Sequence, residues 1–253
     1  MPYIQEECIA GKTIEVIKRF SFRWHRKGEK RSTKENPTIE SQEKVNLRKA
    51  VTTLRRLLNH NFQDGDLLVR LDFKKEERPA GSKEMHGFMK NAIRKMARAF
   101  KKEGKVLKYV FVKEVGPKGG RHIHMVMSKC DTDLLRKVWP HGGIHVDPLN
   151  SNGQYAKIAE YFVKYSLRTE ETEGEHLGKR WYASRSCERP IVRRKIITAN
   201  EFRKEIKKAH QKLIREGRAY LEKETLRSGI SEVTGFEFFS YTLIKNDQQI
   251  RGR

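Results

Sequence analysis

The sequence predicts an α+β fold in which helices flank antiparallel strands, and three observations carry that prediction. Apolar residues recur every three or four positions at 41–58, 82–102 and 154–168, the spacing that gives a helix one apolar face. Short runs rich in Val, Ile and Phe lie between these stretches, the composition of strands. Two of the runs, 108–115 (KYVFVKEV) and 121–128 (RHIHMVMS), are joined by Gly-Pro-Lys-Gly-Gly, a connection short enough that the strands must run antiparallel as a hairpin.

In chain order, 13–22 (TIEVIKRFSF) alternates Ile14, Val16, Phe20 and Phe22 with polar neighbours and reads as a strand. Residues 26–37 (RKGEKRSTKENP) are charged without apolar periodicity, the pattern of a loop or disordered connector. In the helix at 41–58, Val45, Val51, Leu54 and Leu58 are near helical spacing, and Asp64-Gly65 then turns the chain into a strand at 67–73 (LLVRLDF). The helix at 82–102 sets Phe88, Ile93, Met96 and Phe100 on one side, with Lys90, Arg94, Lys95, Arg98, Lys101 and Lys102 on the other. That basic face is either solvated or in contact with phosphates. After the hairpin come a strand or turn at 143–146, a loop containing Pro148, Asn150, Asn152 and Gly153, the helix at 154–168, and an acidic polar loop at 169–178. Strands follow at 181–184 and 191–197. Thr198 with Glu201 forms a capping box that opens a basic helix expected to reach about Thr225, and 236–244 (FEFFSYTLI) reads as a closing strand. The boundary candidate near 198 divides the chain into a domain at 1–197, with its motifs at about 65–190, and a basic helical extension at 198–253.

Lys and Arg number 55 against 32 Asp and Glu, a formal charge of +23, while the hydrophobic fraction of 36% still supports a buried core. Such an excess marks a polyanion binder, with nucleic acid the first expectation. There is no apolar run of membrane-spanning length and no signal-peptide core at the start, so a cytoplasmic protein without membrane contact is expected. Cys8, Cys130 and Cys187 are far apart and odd in number, which argues against a disulfide framework or a Cys-x-x-Cys metal site.

Side chains alternate across a strand, so His122 and His124 share one face while Ile123 and Met125 share the other. Folding the hairpin about Lys118 sets Glu114 opposite His122 and Val112 opposite His124, and opposed residues share a face. Two imidazoles and a carboxylate with open positions suit Mn²⁺ or Mg²⁺ acting as a Lewis acid, although Zn²⁺ or Ni²⁺ would bind at least as tightly. A bare His-x-His more often marks polar residues on an exposed sheet face, and the opposed glutamate is what favours a ligand set.

On the helix at 154–168, Lys157, Tyr161, Lys164, Tyr165 and Arg168 line one face. A tyrosine hydroxyl can attack a phosphodiester and leave a covalent phosphotyrosine when a metal withdraws charge from the phosphate. The plainer alternative is that both tyrosines are packing aromatics and the cations a solvated stripe.

Together these features resemble the HUH endonucleases, in which two histidines flank a hydrophobic residue, here His122-Ile123-His124. Glu114, eight residues upstream of His122, looks like the third ligand of viral replication initiators, and YFVKYSLR at 161–168 is similar to the two-tyrosine motif of phage gene A type replication proteins. Trp139 with His141 and Gly142 resembles a Trp-x-x-Gly element found between the histidine and tyrosine motifs. Arg70-Leu71-Asp72-Phe73 stands where the family's first motif falls, in place of its usual Leu-Thr core. The resemblance covers about residues 65–190. It implies a central antiparallel sheet of about five strands, with the histidines on a middle strand and the tyrosine helix laid across it. His122, His124 and Glu114 would hold Mn²⁺ or Mg²⁺. Tyr161 would be the primary nucleophile, and Tyr165 a second nucleophile or an aromatic support. Lys164 would position or neutralise the phosphate, and Lys157, Arg168 and Arg121 would contact DNA. The implied activity is that of a rolling-circle replication initiator in a bacterial host, which nicks one strand of a plasmid or phage origin through a 5′-phosphotyrosyl intermediate and rejoins it. No GxxxxGK[ST] motif is present, so the helicase, like the polymerase, would come from the host. A transposase or relaxase would use the same chemistry. A histidine nuclease that hydrolyses with water, or a non-catalytic nucleic-acid-binding protein, would not need the tyrosines.

Overall fold

The computed structural model describes residues 3–21, 40–116, 119–150, 153–174, 179–232 and 234–246, so the charged stretch at 26–37 lies outside the described residues. The elements in order are β1 (Tyr3–Ala10), β2 (Thr13–Phe20), α1 (Glu40–Asn61), β3 (Leu67–Asp72), α2 (Ser82–Lys102), β4 (Tyr109–Val115), β5 (Arg121–Met127), α3 (Thr132–Val138), β6 (Ile144–Pro148), α4 (Ala156–Glu173), β7 (Tyr182–Ala183), β8 (Val192–Ile197), α5 (Ala199–Arg203), α6 (Lys208–Arg215), β9 (Ala219–Leu221), β10 (Arg227–Ile230) and β11 (Glu237–Lys245). They form two units, one of residues 51–189 and the other of residues 1–50 with 190–253. The chain therefore does not divide at 198. No helix among the described residues is long and apolar enough to cross a membrane.

The unit at 51–189 holds a five-stranded sheet in the order β6-β3-β5-β4-β7, antiparallel throughout. This is the α+β arrangement expected, with the histidine strand β5 in the middle. Leu67, Val69, Leu71, Phe111, Val115, Ile123, Met125 and Met127 point to one face and pack beneath Met85, Met89, Ala92, Met96 and Phe100 of α2, with Leu135 and Val138 of α3. The alternate residues point to the opposite face, and α4 lies over them. α4 runs five residues beyond the expected end at Arg168, through part of the stretch read as a loop. Thr169 is the physical reason: its hydroxyl lies 2.9 Å from the Lys113 carbonyl oxygen and accepts the Val115 N–H at 3.0 Å, holding the helix against β4. Gly174 then ends the helix in the left-handed conformation, φ 67°, which glycine adopts without strain.

The other unit is a six-stranded sheet, β10-β11-β2-β1-β8 with β9 also on β11. Its first strand, β1, was not expected, and its outer pairings join residues far apart in sequence, such as Ile4 with Ile196 and Val16 with Tyr241. The capping box at Thr198 and Glu201 forms as predicted, but the long helix to Thr225 does not. α5 stops at Arg203, where the buried Lys18 ammonium donates to the carbonyls of Glu201, Lys204 and Glu205 and so takes up helix-end acceptors. α6 stops at Arg215, before the left-handed Gly217 at φ 63°. The described part of the 198–253 stretch is thus mixed helix and strand. All three cysteines are free thiols, and burial pushes the Cys130 thiol up to about 11, leaving it protonated.

Candidate active site

The hairpin register is the one predicted, Val112 opposite His124 and Glu114 opposite His122. On the far side of β5, strand β3 sets Arg70 opposite His124 and Asp72 opposite His122. His122 thus sits between two carboxylates, one from each neighbouring strand. The side chains pair differently from the backbone. His124 Nε2 lies 2.7 Å from Glu114 Oε2, a diagonal contact, while His122 Nδ1 lies 2.7 Å from Asp72 Oδ1. Arg168 of α4 draws Glu114 toward that diagonal by donating to its other oxygen at 2.6 Å. Asp72 also takes Arg70, its Nε 3.0 Å from Oδ1, and His145 of β6, its Nε2 3.1 Å from Oδ2.

Burial opposes ionisation of both acids, but it is outweighed. For Glu114 the hydrogen bond and charge of His124 and the guanidinium of Arg168 hold the carboxyl below the ordinary range. For Asp72 the hydrogen bonds of His122 and Arg70 do the same. The donor types, imidazole nitrogen and carboxylate oxygen, fit a divalent cation. As they stand, Glu114 is paired with one imidazole, His124, and Asp72 with two, His122 and His145, and among the described residues no group of three or more His, Cys, Asp or Glu side chains is arranged to hold a metal ion.

The two-tyrosine stripe comes to this face. The Tyr165 ring stacks on the His124 ring, centroids 4.2 Å apart and planes at 17°, with the Arg168 guanidinium 6.0 Å from the Tyr165 centroid. Tyr161 lies one turn back, 6.2 Å from Tyr165 between centroids, and is 55% exposed. Burial, and then the charge of Glu114, push the Tyr165 hydroxyl above the ordinary phenol range, so it is a protonated phenol at neutral pH. Lys157 and Lys164 are exposed on the same helix. Arg121 is not brought to the site. As an odd-numbered neighbour of His122 it faces the other way, and its guanidinium donates to the Ala80 carbonyl at 2.6 Å.

Two glycines matter sterically. A β-carbon on Gly120 would come within 3.1 Å of His122 Nε2, and one on Gly142 would lie 2.2 Å from the Asp72 carbonyl oxygen. The Trp139–Gly142 element predicted from sequence is therefore a clamp on the end of β3. The Trp139 indole donates to the Asp72 carbonyl at 2.9 Å, the Asp72 amide donates to Gly143 at 2.8 Å, and the Lys74 amide donates to His141 at 2.8 Å. Sequence reading missed Asp72, Arg70 and His145 as site residues. The period-two alternation of 67–73 places Arg70 and Asp72 on one face, but nothing local names the strand that pairs with β5.

These features define a class of sheet protein that presents two histidines with acidic partners beneath a helix carrying two tyrosines. Residues 66–170 match the family model of Replication-associated protein ORF2/G2P. Over this segment, which runs from β3 into α4 and holds both histidines and both tyrosines, the chain is similar to a replication-associated protein, consistent with a rolling-circle initiator. No curated protein and no solved structure matches the chain.

Proposed function

We propose that the chain nicks one strand of DNA at a replication origin with a tyrosine of α4 and rejoins it after synthesis. One observation carries the reading: Tyr165 stacks on His124, which lays the two-tyrosine helix on the imidazole and carboxylate face. The family match supports replication as the process. In the forward step the Tyr161 hydroxyl oxygen, on the more exposed ring, bonds to the phosphorus and the bond from phosphorus to the 3′ oxygen breaks. The 3′ oxygen leaves with the electron pair and receives, by way of solvent, the proton the phenol gives up. The 5′ phosphate stays on the tyrosine, and attack by a 3′ hydroxyl reverses the step.

Lys164, with Lys157 two turns away on the same stripe, would screen the phosphate charge. Asp72 and Glu114 orient the imidazoles, and Arg168 holds Glu114 in place. Tyr165 would act as the second nucleophile or as a platform under the first. Mn²⁺ or Mg²⁺ held by His122, His124 and Glu114 would supply Lewis-acid polarisation of the scissile phosphate. Single-stranded origin DNA would be the substrate, with helicase and polymerase supplied by the host. A transposase or relaxase role would use the same residues.

The test incubates the chain with Mn²⁺ and a labelled pool of single-stranded DNA and resolves protein-linked DNA on denaturing gels. The adduct is expected in the native chain, to be reduced in Tyr161→Phe, and to be lost in the Tyr161→Phe/Tyr165→Phe variant and under EDTA. Cleavage without an adduct would make the chain a hydrolytic nuclease, and binding without cleavage would make it a binding protein. Either result sinks the proposal.

A further inference from the structure

On the face of the sheet away from the histidines, α2 and the segment after α3 enclose a groove of about 340 Å³. Its floor is Phe88, Val138, Pro140 and His141, and its wall is Arg94, Lys95 and Arg98. The Phe88 ring meets His141 edge to face, with centroids 4.5 Å apart at 66°. The three cations are exposed, and among the described residues none has an ion pair. Other cations of the same unit do: Arg70 with Asp72, Arg136 with Asp133, Arg168 with Glu114 and Arg180 with Glu170. Arg94 and Arg98 are one turn apart, a like-charged spacing that disfavours the helix and is relieved by an external anion.

We propose that this groove is a second subsite for single-stranded DNA, its cations holding successive phosphates and its floor taking one unstacked base. The inference rests on the nicking reading, since it is a place for the strand beyond the reacting face. The size is at the low end for a small-molecule pocket and suits a single nucleotide rather than a helix. An aromatic recess selects a base whose face is free, which a single strand offers and a paired duplex does not. Continuity with the reacting face is built in: His141 belongs to the loop whose backbone bonds to Asp72 and Lys74, so groove and site meet at the end of β3.

The test measures anisotropy of labelled oligo(dT) with the full chain in EDTA, where no cleavage occurs, over a range of salt. The Arg94→Ala/Lys95→Ala/Arg98→Ala variant is expected to bind at least tenfold more weakly, with the salt slope reduced by roughly 2, near the loss of three phosphate contacts. Removing three other exposed cations of α2, in Lys83→Ala/Lys101→Ala/Lys102→Ala, should cost less than threefold. Phe88→Leu should weaken binding to oligo(dT) but not to an abasic strand of equal length. Equal effects of the two triple variants would reduce the groove to a diffuse field, and an equal loss on both strands for Phe88→Leu would remove the base contact. Tight competition by dTMP would make a free nucleotide the ligand. Each of these outcomes overturns the subsite while adduct formation by the same protein keeps the nicking reading intact. Absence of any oligo(dT) binding by the native chain would overturn both.

Discussion

The two faces of the 51–189 sheet are made from the same strands and obey different rules. On β5, Ile123, Met125 and Met127 are fully buried under α2, whereas His122 and His124, one residue away each time, are polar, paired and partly accessible. The apolar face is held by volume, so it loses stability when atoms are removed. The polar face is held by matched charge, so it loses orientation when a partner is removed. A period of two is enough to keep core and chemistry apart without a separate domain for either.

Truncation on each face tests that contrast most strongly. Met125→Ala should cost about 2–5 kcal/mol of unfolding free energy by denaturant titration. His124→Ala, which leaves Glu114 its Arg168 partner, should cost less than half as much while abolishing DNA adduct formation. Equal stability losses would erase the distinction.

A smaller effect is expected at the clamp between the faces. Trp139→Phe keeps the aromatic volume but removes the donor to the Asp72 carbonyl, a loss of about 1–3 kcal/mol for an acceptor left without its partner. Because the same loop places Asp72, adduct yield should fall alongside the melting temperature. Stability lost with adduct yield unchanged would show that the clamp serves the fold alone.

The smallest effect is on pH dependence. Glu114 and Asp72 both ionise more readily in the fold than they would in an unfolded chain. Their stabilisation is therefore complete above the ordinary carboxylate range and is lost as pH falls through the lowered values, from about pH 5 downward. Glu114→Gln should flatten the acid limb of a melting-temperature profile and leave the neutral region nearly parallel to the native curve. An unchanged acid limb would show that Glu114 carries no such linkage.

What the sequence made legible follows from the range of the interactions involved. The hairpin register was readable because a five-residue turn leaves little choice of pairing, and α2 because Phe88, Ile93, Met96 and Phe100 recur near helical spacing opposite a basic face, although Met85, Met89 and Ala92 are more deeply buried than Phe88 and Ile93. The stripe of Tyr161, Tyr165 and Arg168 was readable for the same reason. Asp72 was visible as a residue but not as a partner of His122, since the pairing of β3 with β5 spans about fifty residues and leaves no local signature. The strand β1, with Gln5 and Glu6 buried among its apolar residues, lacks a clean alternation. The break after Arg203 depends on Lys18, whose acceptors Glu201 and Lys204 lie 183 and 186 residues further along the chain, and so leaves no local signature.

The sheet that closes β2 against β11 also imposes an order on synthesis. The 51–189 unit is one continuous stretch and has all its strands once residue 189 has emerged. The hairpin of β1 and β2 is made first yet waits for β8 on one side and β11 on the other, both encoded near the far end. At typical rates of synthesis that is a delay of roughly ten to forty seconds for β11. Until β8 and then β11 emerge, the two edges of the hairpin display unpaired backbone groups, so strands made before the 51–189 unit are protected from other nascent chains after it.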